Sequence, residues 1–444
     1  MAITATAAPP RLGGPDPAIL ALPFFEPRHA EVAARVTGWC LDHRELLRHA
    51  EDAPDEGGRR ILRGLGEAGL LAFLDPGSDP GSDPGSAPGS DPGSAPGSDP
   101  GSGSDAGHAG DGDLRSLCVA REVLAYAGDL ADFALAIQTL AATPILRYGT
   151  AAQRRRYLPG LAAGTLQAAF AVSEPQAGSD VAAITTTAER DGDGYTLHGV
   201  KAWIAGGGTA DVYCVIARTG EGGGSLGLSA LLVPAGAPGF TVEPVAVTAP
   251  RAFAHLRFDG VRLPADALLG RAGGGFPLAM EVLDRFRMTV GAAALGFARR
   301  AADAALAHAR RRRIYGGPLL DLATTRAALA DIEVKLNAAA LLVARAAWEV
   351  DQGNRRYPRH SSIAKLYATE VAQEIVDACV QMHGAAGLVA GSLPERLYRQ
   401  IRSLRIYEGT SEVQRSVIAG SLDVRRAEKS HDLFADDASH VRDR

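Results

Sequence analysis

The sequence predicts a mostly α-helical protein with a small antiparallel β-domain in the middle of the chain. Apolar residues recur every three or four positions on both sides of residues 166–269, which is the helical period. Between these limits, short β-rich runs alternate with Gly, Pro and Asp turns, as expected for strands. The 444 residues, 46% hydrophobic and 22% charged, are enough for two or three globular domains.

The first predicted domain, residues 1–165, is helical and contains a disordered insertion. Helical spacing is found in four segments, residues 29–49, 59–71, 113–147 and 150–161. Residues 75–102 are seven tetrapeptides of the type Asp/Ala-Pro-Gly-Ser, and Gly-rich sequence continues to Asp113. Because this density of Pro and Gly excludes helix and sheet, we predict a flexible, disordered insertion over residues 75–113.

The second predicted domain, residues 166–272, contains the strands. Strand-like runs lie at residues 195–197, 212–217, 229–233 and 256–258. The glycines at 222–227 formally fit the Gly-x-Gly-x-x-Gly pattern of dinucleotide-binding loops, but a strand-like run follows where that site needs a helix. We therefore interpret this segment as a hairpin loop.

The third predicted domain, residues 273–430, returns to helical periodicity. The predicted helices cover residues 276–313, 322–352 and 361–383, and a further one begins near Pro394. The chain order is therefore helical, β, helical.

Composition and charge exclude several classes of function. A net charge of −5 gives no reason to expect nucleic acid or an anionic membrane as a partner. The four cysteines are far apart and lack His at metal-binding spacing, so we expect free thiols and no metal. Residues 1–14 lack the features of a secretory signal, and no apolar run approaches the ~18–20 residues of a membrane span. We predict a cytoplasmic protein without membrane insertion.

Glu408 is the main candidate for a catalytic residue. It follows Ile406 and Tyr407, whose side chains favour desolvation of the carboxylate and a raised pKa, and it precedes Gly409, which permits close approach of a substrate. Such a carboxylate suits a general base for a weakly acidic C–H. From residue chemistry alone, the segment is equally compatible with an ordinary loop between two helices.

Two other segments resolve this ambiguity. They are Phe170-Ala171-Val172-Ser173-Glu174-Pro175-Gln176-Ala177-Gly178-Ser179-Asp180 and Gly199-Val200-Lys201-Ala202-Trp203-Ile204. In their order and separation from the Glu408 segment, they resemble the acyl-CoA dehydrogenase family of flavoproteins, over residues 113–422 and more weakly over 18–73. The resemblance implies the acyl-CoA dehydrogenase fold, in which a β-domain lies between an N-terminal α-bundle and a C-terminal four-helix bundle, with FAD at their junction.

The resemblance also implies the activity and the partners. The expected reaction is FAD-dependent α,β-dehydrogenation of an acyl-CoA to the 2-enoyl thioester, with Glu408 as the base and hydride transfer to flavin N5. The expected electron acceptor is an electron-transfer flavoprotein, and the expected assembly is a homo-oligomer, either a dimer or a tetramer. A carrier-protein-bound acyl thioester is an alternative substrate.

Carried over by position, the family pattern implies a set of cofactor contacts. Phe170, Val172 and Ser173 would line the isoalloxazine ring, with Trp203 and Ala205 beside it. Gln381, Gly384 and Ala385 would meet the adenosine and pyrophosphate part, and Thr410 and Glu412 would bond the cofactor just after the base. Arg312, in an Arg-x-x-aromatic-Gly segment, would reach the pyrophosphate of a neighbouring subunit.

Four further residues are implied to bind the substrate. Ser179 would contact the phosphopantetheine arm, and Gly409 would lie beside the base. Asp284 and Arg287 would lie on a helix near the CoA nucleotide, although an ordinary pair on a helix surface is the alternative.

The chain departs from the family pattern at several positions. Ala205 replaces a frequent Thr or Ser, Ala323 replaces a usual Gln, and Ala385 replaces the second Gly of a usual pair. Two alternatives from other functional classes stay open. A flavin oxidase or monooxygenase of this fold usually lacks the Glu at position 408, and a non-catalytic scaffold is expected to have lost it.

Overall fold

The structure is a computed structural model that describes residues 13–72, 113–354 and 357–428. Residues 1–12 lie outside the described residues. They include most of residues 1–14, the segment that we expected to lack a secretory signal. Of the predicted insertion over residues 75–113, only Asp113 is described, and its side chain caps the helix that begins at Leu114.

Seven helices form the N-terminal part of the described chain. They are α1 (Pro17–Leu20), α2 (Pro27–Asp42), α3 (Arg44–His49), α4 (Pro54–Glu67), α5 (Leu114–Ala127), α6 (Asp129–Tyr148) and α7 (Ala151–Ala162). Local signals explain several boundaries. Pro27 and Pro54 occupy first helical positions, where a missing N–H costs nothing. Thr150 and Gln153 form a reciprocal capping box at the start of α7.

An eight-stranded sheet follows. Its strands are β1 (Ala168–Ala171), β2 (Thr187–Asp191), β3 (Gly194–Ala205), β4 (Val212–Arg218), β5 (Leu228–Pro234), β6 (Phe240–Pro244), β7 (Phe253–Pro264) and β8 (Leu268–Leu269). The strand order is β6-β7-β3-β2-β4-β5-β8, and most pairs are antiparallel. β1 and β2 differ from the expected antiparallel pattern, since each pairs with β4 in parallel. The glycines at 222–227 connect antiparallel β4 and β5, which confirms the predicted hairpin loop.

Five helices and a short hairpin complete the described chain. The hairpin consists of β9 (Arg313–Ile314) and β10 (Gly317–Pro318), and the helices are α8 (Gly275–Arg311), α9 (Ala323–Asp351), α10 (Tyr357–His383), α11 (Leu393–Ile401) and α12 (Ser411–Glu428). α8 is the central helix and packs against α5, α9 and α10. A glycine permits its close approach to α5, because a Cβ on Gly296 would lie 2.2 Å from the carbonyl oxygen of Glu122.

The core has two parts that meet at the sheet. On β4, Val212 and Cys214 face the apolar core shared with the helices, whereas Tyr213 and Val215 face a second core on the other side. This alternation is the period of two that places successive side chains on opposite faces of a strand. The sheet is therefore attached to the helices through one face, and the candidate site lies at this boundary.

One described helix resembles a membrane span in length and composition only. Among the described residues, α6 is long and apolar enough to cross a bilayer by length and composition, but 78% of that stretch is buried inside the protein. Asp129 and Asp132 also lie on it, and both are paired with buried arginines. α6 is therefore a core helix of this fold. All four cysteines are free and buried, as expected.

Candidate active site

A cavity of about 180 Å³ lies where the N-terminal helices, the sheet and the C-terminal helices meet. It brings together seven of the predicted site residues, namely Phe170, Val172, Ser173, Trp203, Ala205, Glu408 and Gly409. The three sequence motifs, which are far apart in the chain, therefore form one site. A larger groove of about 370 Å³, between α4 and the turn after β3, contains none of the predicted site residues.

A buried ion pair joins the first two motifs. Lys201 Nζ lies 2.7 Å from Glu174 Oε1, and the two residues are 0% and 2% exposed. The same ammonium group donates to the carbonyl oxygen of Val172 at 2.9 Å, and the amide of Ala202 donates to the carbonyl oxygen of Ser173 at 2.9 Å. The chain at Val172 and Ser173 is thereby fixed against β3.

The carboxylate of Glu174 is held in its charged form. Burial acts to raise its pKa, but the charge of Lys201 and hydrogen bonds from Thr185 and Thr186 outweigh burial and lower the pKa to about 2. Burial lowers the pKa of Lys201 to about 8, because Glu174 only partly offsets the loss of hydration. The pair is thus ionised at neutral pH.

Trp203 reaches the cavity through an irregularity in β3. The pairing of β3 with β7 shifts register between Lys201 and Ile204, and Trp203 has a left-handed φ of 59°. This conformation is uncommon for a bulky residue and re-aims the side chain, as bulges next to sites often do. The indole is 56% exposed and meets the ring of His255 edge-on at 4.6 Å.

Glu408 presents its carboxylate to the cavity. Its φ is 53°, and its Oε2 atom is buried without a hydrogen-bond partner among the described residues. Desolvation raises the pKa of Glu408 to about 7, although the positive charges of Arg121, Lys365 and Arg287 act in the opposite direction. The expected rise in pKa is confirmed, and its main cause is the expected one, burial.

The backbone after Glu408 is fixed from two sides. Lys365 Nζ, fully buried on α10, donates to the carbonyl oxygen of Gly409 at 2.7 Å. Gln414 Nε2 donates to the same oxygen at 2.9 Å and to the carbonyl oxygen of Glu408 at 3.2 Å. Neither residue was predicted to belong to the site. The signal that could have found Gln414 is its position in the first turn of the helix that follows Glu408.

A second ion pair lines the cavity and was also missed. Arg121 Nε and Nη2 donate to the two carboxylate oxygens of Asp132 at 2.8 and 2.9 Å, and Nη1 donates to Thr289 Oγ1 at 2.7 Å. Arg121 is 1% exposed and Asp132 is 3% exposed. The available signal was two charged residues among the apolar positions of the predicted helical segment 113–147. The structure divides this segment into α5 and α6, and no spacing rule joins residues on two helices.

Arg287 and Asp284 form an ion pair on α8. The alternative considered from the sequence, an ordinary pair on the helix surface, does not describe it. Arg287 is only 5% exposed, and its charge acts on Glu408. Burial raises the pKa of Asp284, and Arg287 opposes this rise. Neither residue lines the cavity, so their predicted role at the CoA nucleotide stays a prediction.

The other predicted site residues do not line the cavity. Arg312 is exposed directly after the end of α8, and Gln381, Gly384 and Ala385 are exposed at the end of α10. Ser179 and Glu412 are exposed as well. Thr410 accepts a hydrogen bond from the amide of Val413 at 3.3 Å at the start of α12. The predicted cofactor contacts at these positions, and the predicted substrate contact of Ser179, stay predictions.

Three family models match the chain in sequence order. Their descriptions are "Acyl-CoA dehydrogenase, N-terminal domain" for residues 104–165, "Acyl-CoA dehydrogenase, middle domain" for 169–261 and "Acyl-CoA dehydrogenase, C-terminal domain" for 273–422.

Relatives and solved structures agree with this match. The mouse protein "Short-chain specific acyl-CoA dehydrogenase, mitochondrial" is 39% identical over 283 residues, which are 63% of this chain and 68% of the relative. Butyryl-CoA dehydrogenase from Megasphaera elsdenii superimposes with a TM-score of 0.77 at 30% identity, over 89% of this chain and 97% of that chain. Glutaryl-CoA dehydrogenase from Mycobacterium smegmatis in complex with FADH2 superimposes with a TM-score of 0.75 at 27% identity, over 90% of this chain and 95% of that chain. The resemblance and the predicted fold are therefore confirmed, and this chain belongs to the acyl-CoA dehydrogenase family.

Proposed function

We propose that this protein catalyses the FAD-dependent α,β-dehydrogenation of an acyl-CoA, with Glu408 as the general base. The observation that carries the proposal is the carboxylate of Glu408 in the cavity, with a buried and unpartnered Oε2 and a pKa raised to about 7. A base with a pKa near the working pH is suited to proton abstraction. The similarity to enzymes named for short-chain acyl-CoA and butyryl-CoA dehydrogenation supports a short acyl group.

The residues of the cavity fit a flavin ring. Phe170, Val172 and Ala205 supply apolar wall, and Trp203 adds a large aromatic side chain that is mostly exposed beside it. The hydroxyl and backbone groups of Ser173 supply hydrogen-bonding capacity at the same wall. A flat aromatic heterocycle with a polar edge needs this combination, because its faces are apolar and its edge must be hydrogen-bonded.

The chain's own residues account for the proton transfer. Glu408 Oε2 would take the proton from the α-carbon, since it has no competing hydrogen bond. Lys365 and Gln414 fix the Gly409 carbonyl, which limits the movement of the adjoining carboxylate. When bound, FAD supplies the acceptor for the hydride that leaves the β-carbon. Loss of one proton and one hydride converts the saturated thioester into the 2-enoyl thioester.

The proposed assembly is a dimer or tetramer in which Arg312 of one subunit contacts the cofactor of another. Arg312, Gln381 and Ala385 are exposed and lie outside the cavity of their own chain, which supports a contribution to a neighbouring site. Exposed apolar side chains lie nearby in sequence, with Tyr315 92% exposed and Leu388 74% exposed. The proposed electron acceptor is an electron-transfer flavoprotein, and the proposed compartment is the cytoplasm.

Anaerobic mixing with a panel of short acyl-CoAs tests the proposal. We expect the flavin absorbance of the FAD-loaded protein to bleach with at least one saturated thioester, and the product to be the 2-enoyl thioester. If no acyl-CoA or acyl-carrier thioester bleaches the flavin, the dehydrogenase function is wrong. If oxygen reoxidises the reduced protein as fast as it turns over, the oxidase alternative replaces it.

A further inference from the structure

We propose that the ion pair of Arg121 and Asp132 is a specificity-determining element and that the preferred acyl group carries a neutral hydrogen-bonding substituent, such as a hydroxyl, beyond its β-carbon. This inference rests on the proposed function, since it names the class of thioester that the same cavity accepts. The pair lines the cavity that contains Glu408. Its charges act on the pKa of Glu408, but the proposed proton transfer gives it no contact with the reacting atoms.

The position of the pair indicates what it would meet. α6 turns Phe133, Ala136, Ile137 and Leu140 towards the cavity, at the spacing of one helical face. Asp132 begins this face, and Arg121 reaches it from α5. The wall formed by α6 is thus apolar along about two turns and charged at one end. An acyl chain lying along this wall would bring its substituents to the pair.

The hydrogen-bond inventory leaves room for a ligand group. A guanidinium has five N–H donors, and within the described residues Arg121 uses three of them on Asp132 and Thr289. The carboxylate of Asp132 keeps lone pairs beyond the two that Arg121 uses. A hydroxyl can donate to the carboxylate and accept from the guanidinium. A purely apolar tail would remove water from the pair and return no hydrogen bond, which is unfavourable.

The local charge argues for a neutral substituent. The charge of Arg121 is already matched by the bidentate contact with Asp132. A carboxylate on the substrate would enter a site that also holds Glu408, and Asp132 would repel it at short range. The structure therefore favours a hydroxyl-bearing acyl group over both an alkyl group of the same size and a dicarboxylic acyl group.

Two thioesters that differ only at the terminal group test this inference. In 5-hydroxypentanoyl-CoA a hydroxyl replaces the terminal methyl of hexanoyl-CoA, and glutaryl-CoA supplies the carboxylate. Two quantities are measured with FAD-loaded protein, namely kcat/KM for flavin reduction and the Kd of each thioester for the non-reducing Glu408→Gln variant. We expect the hydroxy thioester to be preferred over hexanoyl-CoA by roughly tenfold in both quantities.

A double substitution tests the role of the pair itself. Arg121→Met with Asp132→Leu replaces both charges with apolar side chains, so that no unpaired charge is left buried. We expect this variant to prefer hexanoyl-CoA. The matched control is Arg299→Met with Glu122→Leu. It removes a different ion pair, which joins α5 to α8 and does not line the cavity. The control should keep the preference of the unmodified protein.

The outcomes separate this inference from the proposed function. Equal or better use of hexanoyl-CoA or glutaryl-CoA by the unmodified protein would overturn the inference, whether or not the double variant folds. An unchanged preference in a folded double variant would overturn it too. Failure of every thioester to bleach the flavin would instead refute the dehydrogenase function, and the Kd ratio would still decide whether the pair selects a hydroxyl group.

Discussion

The ammonium group of Lys365 donates a hydrogen bond to the carbonyl oxygen of Gly409, 2.7 Å away, and thereby fixes the residue that directly follows the proposed base. Lys365 is fully buried on α10, and burial lowers its pKa to about 8, although Glu408 partly opposes this shift. Its charge in turn acts to lower the pKa of Glu408. One side chain thus influences both the position and the basicity of the carboxylate.

Lys365→Met should slow flavin reduction at pH 7 by about tenfold. The variant leaves the Gly409 carbonyl with one hydrogen bond fewer, and removal of a positive charge should raise the pKa of Glu408 further. We therefore expect the pH profile of flavin reduction to shift to higher pH. The control is Lys335→Met, which removes an exposed lysine paired with Glu374 on the surface. If the pH profile of flavin reduction shifts no more in Lys365→Met than in the control, Lys365 does not position Glu408.

Glu408→Gln should abolish most of the activity while the protein keeps its fold and its FAD. Gln has nearly the same volume as Glu but accepts no proton at neutral pH. Flavin reduction by an acyl-CoA should fall by at least ~10²–10⁴-fold, the typical effect of losing a general base. Phe286, one residue before Arg287 where some family members place their base, offers no second carboxylate. Near-normal reduction in this variant would exclude Glu408 as the base.

The raised pKa of Glu408 also predicts how stability changes with pH. An acid whose pKa rises from 4.5 to about 7 on folding binds more protons in the folded state between these values. The folded protein should therefore lose stability as the pH increases from about 4.5 through 7. Relative to Glu408→Gln, we expect the free energy of unfolding to fall by something on the order of 2 kcal/mol between pH 5 and pH 8. Parallel pH dependences in urea unfolding would contradict the raised pKa.

Glu174→Gln should destabilise the protein by about 3 kcal/mol, because it leaves the buried charge of Lys201 without its partner. The variant should also bind FAD more weakly, since Lys201 fixes the chain at Val172. Urea unfolding and FAD titration measure the two effects. Asp191→Asn is the control, because its ion pair with Arg262 is exposed and should contribute at most about 1 kcal/mol. Equal effects of the two substitutions would refute this account of the pair.

Arg312→Gln should weaken FAD binding by about tenfold if the guanidinium contacts the pyrophosphate of a neighbouring subunit. Folding should be unaffected, because Arg312 is exposed in its own chain. Arg310→Gln removes a second exposed arginine from the same helix end and serves as the control. Light scattering on the unmodified protein gives an independent test, since a stable FAD-loaded monomer would rule out a contact between subunits.

The sequence by itself was sufficient for the features that depend on local patterns. The helical period located α8, α9 and α10, and the strand-like run after Gly227 identified a hairpin loop instead of a dinucleotide site. The pKa of Glu408 is raised, as its neighbours indicated, and burial is the main cause. Of those neighbours, Tyr407 lines the cavity beside Glu408, whereas Ile406 is 54% exposed. The order of the three motifs was enough to identify the family.

Only the tertiary structure decided which charges meet around the site. Arg121 and Asp132 lie on different helices, Glu174 and Lys201 are 27 residues apart, and Lys365 is 44 residues from Gly409. No helical or strand period joins such pairs, since their geometry depends on how α5, α6, α10 and the sheet pack together. For the same reason, the sequence could indicate a carboxylate base at position 408 but not the three buried cations that adjust its pKa.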